Sequence, residues 1–337
     1  MGNEKIGKHS YRFGKAPIIH AWASIAGPKE AIGPLKSYYD GVSKDAYFGQ
    51  KTWEQGEQHM QQLVLQKLVN KAGITFSDIQ MVFSGDLLNQ CIGSSFALKN
   101  KNIPHLGLYG ACSTMAESLL LGSMIVSGGF GDQVVAMTSS HFASSERQYR
   151  FPLNYGGQRT PTAQWTVTGS GAVLLGCEGN GPRVTGCTIG TVVDLGITDA
   201  NNMGAAMAPA AKATILTHFK DFETTPDDYD LIVTGDLGQT GSELLRTLCM
   251  LDGISIGGKH VDCGTMVFDK NSQDVHSGGS GCGCSGIVLC GYLLSKLKTK
   301  KINRILFCGT GALLSPTSTQ QGLSIPGVCH AVIIEGE

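Results

Sequence analysis

The sequence predicts an α/β protein built from two similar halves, packed as five layers (α-β-α-β-α) with pseudo-twofold symmetry. Three observations predict it. The chain repeats itself in order: Val82-Phe83-Ser84-Gly85-Asp86-Leu87 returns as Val233-Thr234-Gly235-Asp236-Leu237. Cys112-Ser113, opening an apolar helix that leads to the strand Val134–Ser139, returns as Cys284-Ser285 leading to Leu306–Gly311, and Gly171–Leu175 returns as His330–Ile334. Three matches in one order, at unequal offsets, mark a duplication whose loops have different lengths. Apolar strands alternate with helices, which implies a largely parallel sheet covered on both faces. No Pro-rich linker separates the halves, about 20–176 and 182–335, so residues 1–337 read as one domain.

The elements follow in order. Trp53 to Ala72 carries Met60, Leu63, Val64, Leu68 and Ala72 at helical spacing. Glu54 and Glu57 near its start and Gly73 past its end suit the helix dipole and a left-handed cap. A strand over Ile79–Ser84, a helix over Leu87–Leu98, a strand over His105–Tyr109 and the helix from Cys112 complete the first half. Each half reads as β-α-β-α-β-β. A shared central helical layer would bury Cys112 and Cys284 at equivalent helix starts. Ser144 to Pro161 is polar, basic and punctuated by Gly and Pro, and reads as a loop placed to cover a pocket.

Composition narrows the function. Hydrophobic residues make up 42% and charged residues 16%, the latter below the ~25% usual in soluble domains. The net charge of −1 provides no basic field for nucleic acid. Met1–Ser10 has no apolar signal region, and the longest apolar run, Leu119–Val126, is far short of the ~20 residues of a membrane helix. Eleven cysteines without an export signal imply reduced thiols. Cys282 and Cys284, with Cys263 and His276 upstream, could hold zinc, but small core thiols are the preferred reading. Gly281-x-Gly283-x-x-Gly286 matches the dinucleotide fingerprint in form only. No strand clearly leads into it, and close helix packing explains it better.

Chemistry could reside at Gly110-Ala111-Cys112-Ser113-Thr114, where a thiol at a helix start would face a dipole that favours thiolate. A structural cysteine is the equal alternative. His141, His260 and His276 are the possible bases, each otherwise a hydrogen-bonded loop histidine. Asp86 and Asp236 end equivalent strands and are read as helix caps before acids. Arg147, Arg150 and Arg159, among Tyr149, Phe151 and Tyr155, could fork onto carboxylates while the rings stack on a planar ligand; a solvated or dimer-contact loop is the plainer reading.

A strand running into GACST, with its cysteine at a helix start inside a duplicated chain, resembles the thiolase and ketoacyl synthase superfamily. Within it, GDLLNQ (85–90), GACST (110–114), TVTGSGAV (166–173), DLGITD (194–199), MGAAMAPAA (203–211), TPDDYDLIVTGDL (225–237), GGSGCGCS (278–285) and TGALLSP (310–316) resemble the stage V sporulation protein AD family, from about Gly27 to Glu335. The superfamily resemblance implies that Cys112 stands at the acyl-accepting position. It also implies a histidine after the strand that here ends in Gly235-Asp236, and a histidine or asparagine in the loop that here reads Gly278-Gly279-Ser280-Gly281. Both are absent, so the thiol lacks a proton acceptor and an oxyanion donor.

The closer resemblance implies a sporulation protein that binds dipicolinic acid. It would act with membrane components of the SpoVA assembly, peripherally at the inner membrane of the forespore. There calcium dipicolinate is moved in during development and out at germination. No cofactor is implied, although calcium could enter as the chelate, and a homodimer is possible. On this reading the ligand lies in the cleft near Cys112, with helix starts at Cys112 and Leu87 offering N–H donors. His141 and Arg147 would be its charge partners, Asp86 would orient them or meet calcium, and Asp236 and His260 would complete the set. The alternative is an acyl-transferring or condensing enzyme that uses Cys112 with His141 or His260.

Overall fold

The computed structural model describes residues 2–149 and 157–337. Its first half contains β1 (Ile18–Ala26), α1 (Trp53–Ala72), β2 (Met81–Gly85), α2 (Ile92–Leu98), β3 (His105–Gly107), α3 (Thr114–Ser127), β4 (Val134–Ser140), α4 (Phe142–Tyr149) and β5 (Gly169–Gly176). The second half contains β6 (Arg183–Thr188), α5 (Met203–Phe222), β7 (Leu231–Thr234), α6 (Gly238–Leu251), β8 (His260–Asp262), α7 (Cys263–Val267), α8 (Cys282–Val288), β9 (Arg304–Ala312) and β10 (Gly327–Glu335). Each half thus has one more helix–strand unit than the β-α-β-α-β-β reading. The opening strand, helix and second strand are followed by two further crossovers.

The pairing repeats strand for strand. The first half runs β1-β5-β4-β2-β3 and the second β6-β10-β9-β7-β8, with β1 and β6 meeting antiparallel at Ile18 and Arg183. In each half the last strand runs antiparallel to both of its neighbours in that half, and the remaining pairs are parallel.

Alternation along the strands separates the layers, because successive side chains point to opposite faces. On β4, Val134 and Ala136 join the central core while Val135 and Met137 pack beneath α1. On β9, Ile305 and Phe307 face the centre while Leu306 and Cys308 pack against α5 and α6. α3 lies against β2 and β4 of one sheet and β9 and β10 of the other. The middle layer is therefore helical, and the order is α1/α2, sheet, α3/α8, sheet, α5/α6.

Local signals place α1 where its periodicity predicts. Thr52 accepts from the Gln55 N–H at 3.2 Å, and Gly73, at φ +70, closes the end on Val69. Two expectations change. Leu87 does not begin a helix: Asn89–Cys91 form a 3-10 turn and α2 starts at Ile92. Ser144–Tyr149 are helical, not loop, because His141 and buried side chains anchor α4; Arg150, Phe151 and Tyr155 lie outside the described residues.

One buried acid gives the fold a pH dependence. Glu30 is fully buried; its Oε1 accepts from the Thr168 N–H at 3.0 Å, and its Oε2 has no partner among the described residues. Burial pushes its carboxyl from 4.5 up to about 7. The folded state thus holds this proton more tightly than the unfolded chain. The stabilisation is complete below about pH 4.5 and is lost as pH rises through about 7, a change of roughly 3 kcal/mol or less. Glu30→Gln is expected to flatten this fall, measured as denaturant midpoints of both proteins across that window.

Candidate functional site

Cys112 sits in the 3-10 turn Ala111–Ser113 just before α3, and Ala111 holds a left-handed φ of +50. Such a φ on a residue with a Cβ is a strained turn, the kind that accumulates at functional sites. Thr114 Oγ1 donates to the Ala111 carbonyl at 2.7 Å and Ser113 Oγ to Gly110 at 2.7 Å, fixing the turn. Cys284 lies one turn differently placed, inside the start of α8 rather than before it.

The thiol is buried beside the Asp236 carboxyl and beside Cys282. Burial, then the negative charge of Asp236, push the thiol well above its usual value. This corrects the expected thiolate: a helix dipole is a partial charge at the surface of a dry site, and desolvation outweighs it.

Asp236 itself is fully buried and almost saturated. Its Oδ2 accepts from the Gly281 N–H at 2.8 Å and Ser280 Oγ at 3.3 Å, and its Oδ1 from Thr310 Oγ1 at 2.8 Å. It holds the turn into α8 and does not cap α6. That cap falls to Asp262, which accepts from Leu237 and Gly238 N–H at 2.9 and 3.0 Å. Burial raises the Asp236 carboxyl above its ordinary value.

The other sequence-derived residues do not converge on the thiol. His141 is buried, with Nε2 2.7 Å from the Ala46 carbonyl and Nδ1 accepting from the Ala143 N–H at 3.2 Å. That bonding makes Nε2 the protonated nitrogen and leaves no lone pair for a thiol. His260 bonds Thr234 Oγ1 at 2.9 Å and accepts from Arg246 Nε at 3.1 Å. His276 pairs with Asp274 at 3.2 Å. Arg147 pairs with Glu54 and lies 5.6 Å over the Trp53 ring. Arg159 stacks on Trp165 at 4.7 Å and donates to the Gln164 carbonyl.

Asp86 accepts from the Leu88 N–H at 2.9 Å and the Ser94 N–H at 2.7 Å. The anion position at this turn is therefore already filled by the protein's own carboxylate.

A cavity of about 30 Å³ remains beside the thiol, lined by Leu87, Tyr109, Cys112, Tyr149, Ser280 and Ala312 among others. It has room for a water or two and no more. Tyr149, at the end of α4, closes it by donating its hydroxyl to the Leu87 carbonyl.

Sequence reasoning missed what holds this lid. Glu57 is fully buried and accepts from Ser139 Oγ at 2.8 Å and Ser144 Oγ at 2.7 Å, tying α1 to β4 and α4. Burial and then the nearby Asp86 raise its carboxyl. Its place three residues before Met60, on the apolar stripe of α1, was the available signal. Among the described residues no group of His, Cys, Asp and Glu has metal-binding geometry, and Cys263, Cys282 and Cys284 are core thiols.

A duplicated five-layer α/β body with a cysteine before the central helix defines the thiolase-like class. Solved structures agree. The 3-oxoacyl-acyl-carrier-protein synthase III of Aquifex aeolicus VF5 superposes with a TM-score of 0.56 at 10% identity, covering 95% of this chain and 99% of its own. Human mitochondrial 3-ketoacyl-CoA thiolase, solved with CoA, superposes at 0.54 and 12% identity, over 97% and 99%. Within that class the chain belongs to the stage V sporulation protein AD family, whose model matches residues 7–335. Stage V sporulation protein AD of Bacillus subtilis (strain 168) is 43% identical over 329 residues, 98% of this chain and 97% of that protein. The chain is thus a sporulation protein, and no described helix is long and apolar enough to cross a membrane.

Proposed function

We propose that this protein binds dipicolinate and its calcium chelate, as the partner of membrane components in a SpoVA assembly that moves the chelate into and out of the forespore. The observation that carries the non-enzymatic side of this reading is the setting of Cys112. Its thiol faces a buried carboxyl, and neither His141 nor His260 is free to deprotonate it. The fold keeps a small cavity at the nucleophile position, while the two histidines proposed as bases are bonded elsewhere. The ligand itself comes from the family resemblance.

A pyridine diacid exceeds the free space beside Cys112, so entry there requires Tyr149 to leave Leu87. A dianion near Asp236 also needs a cation between them, so the calcium chelate is the form this cavity favours. Calorimetric titration of the full chain with dipicolinate, with and without calcium, tests the reading. Saturable heat is expected, larger in affinity with calcium. Tyr149→Phe removes the latching hydroxyl and is expected to tighten binding by roughly tenfold. Absence of saturable heat from the wild type in both conditions would sink the ligand assignment.

A further inference from the structure

A second, larger cavity lies between α6, α7 and the segment 269–278. It is an open cleft of about 470 Å³ and shares no lining residue with the Cys112 cavity. That volume is within the range of small-molecule sites, ~300–1,000 Å³.

Its floor is one face of α6, where Ser242 and Arg246 stand one helical turn apart. Lys270 borders it, and Phe268 and Val275 provide apolar wall. Arg246 uses Nε and Nη2 on His260, at 3.1 and 3.3 Å, and neither contact carries negative charge. Lys270 Nζ meets the neutral Gln239 Oε1 at 3.3 Å. Among the described residues no carboxylate lies within 4.0 Å of either cation.

The two acids at the same cavity do not neutralise them. Asp269 spends its oxygens within its own turn, on the Asn271 N–H at 3.0 Å and Ser272 Oγ at 2.7 Å. Glu243 accepts from Gln239 Nε2 at 3.1 Å. Ser242 is only 3% exposed, lines the cavity, and its hydroxyl has no partner among the described residues. A native fold rarely leaves a buried hydroxyl unsatisfied unless something else satisfies it.

We propose that this cavity is a binding site for a small organic carboxylate with an apolar body, separate from the Cys112 cavity. The carboxylate meets Arg246 and Lys270, the body lies against Phe268 and Val275, and the Ser242 hydroxyl donates to the ligand. Glu243 and Asp269 disfavour compact polyanions, since a dense negative charge would gain from two cations but face two carboxylates. The site does not depend on dipicolinate being the protein's ligand.

The test uses 5-bromoisophthalate as the carboxylate with a body and inorganic phosphate as the anion without one. In titrations of the full chain, 5-bromoisophthalate is expected to bind saturably and phosphate at least about tenfold more weakly. Lys270→Gln and Arg246→Gln are each expected to weaken 5-bromoisophthalate about tenfold, the size of one charge-assisted contact. Lys270→Arg should bind like wild type. Lys270 and Arg246 are both exposed, so their variants are expected to fold. In soaked crystals the bromine anomalous peak should lie between α6 and Phe268. No saturable binding to the wild type, equal binding by both Gln variants, or a bromine peak confined to the Cys112 cavity would overturn the proposal.

Discussion

Cys112 of the folded protein is expected to react with iodoacetamide near pH 8 roughly a hundredfold more slowly than the same cysteine in the unfolded chain. Only thiolate alkylates, a thiol pushed well up holds very little of it at this pH, and burial blocks approach of the reagent as well. The thiol is pushed well up by burial first and Asp236 second. Mass spectrometry of peptides quenched over time gives the rate of every cysteine in one experiment. Cys177, the one cysteine that is not buried, acts as the internal reference for access of the reagent, although Asp132 beside it raises its thiol as well. Incubation with acyl-CoA should leave Cys112 without a thioester by the same readout. Asp236→Asn removes the adjacent negative charge and should recover part of the alkylation rate, about tenfold, while burial still suppresses the rest. Fast labelling of wild-type Cys112, or an acyl adduct that Cys112→Ala abolishes, would restore the condensing-enzyme reading.

Gly171→Val is expected to abolish a stable fold, with a loss of roughly 4 kcal/mol or more where any folded protein survives. Gly171 lies on β5 where α8 crosses it. A Cβ built there would sit 2.3 Å from the Gly286 carbonyl oxygen and 2.9 Å from its Cα, both backbone atoms that no rotamer change can move. α8 would have to lift off the sheet, and with it the central layer that both halves share. A comparable crossing in the other half behaves alike: a Cβ at Gly309 on β9 would meet Ala116 Cβ at 2.5 Å and the Ser113 carbonyl at 2.9 Å, beside Cys112. Gly129, at a surface turn with nothing within 4 Å of a built Cβ, is the contrasting position. Its φ of +77 makes Gly129→Ala cost only about 1 kcal/mol of local strain. Denaturant midpoints for the three variants order the effects.

These two results concern features that differ in how far the sequence exposes them. The repeat of Gly85-Asp86-Leu87 in Gly235-Asp236-Leu237 and the helix start at Cys112 were legible because duplication and periodicity are properties of residue order. The same is true of α1, whose stripe and caps lie within one stretch of chain. Burial of glycines was legible in kind: the run at Gly281, Gly283 and Gly286 is there because backbone approaches backbone. Gly283, for example, would place a Cβ 2.4 Å from the Gly169 carbonyl.

The roles of charged side chains were not legible. His141 follows β4 and looks like a base, yet it reaches Ala46 across the fold and spends both nitrogens on backbone. Arg147 looked like a ligand fork and is taken by Glu54, and Glu57 looked like a surface dipole partner and is a buried tie between α1 and α4. Asp86 and Asp236 occupy equivalent positions in the repeat, but one is wrapped by its own turn and the other by the start of α8.

By itself the sequence determined the duplication, the long helix over Trp53–Ala72, and the cysteine at the start of the central helix, because these depend on the pattern of neighbouring residues. Only the tertiary structure decided what that cysteine is. Whether a thiol is reactive depends on the charge and the water within a few ångströms of it, and at Cys112 those come from Asp236, Cys282 and Tyr149, three residues the chain brings in from distant positions.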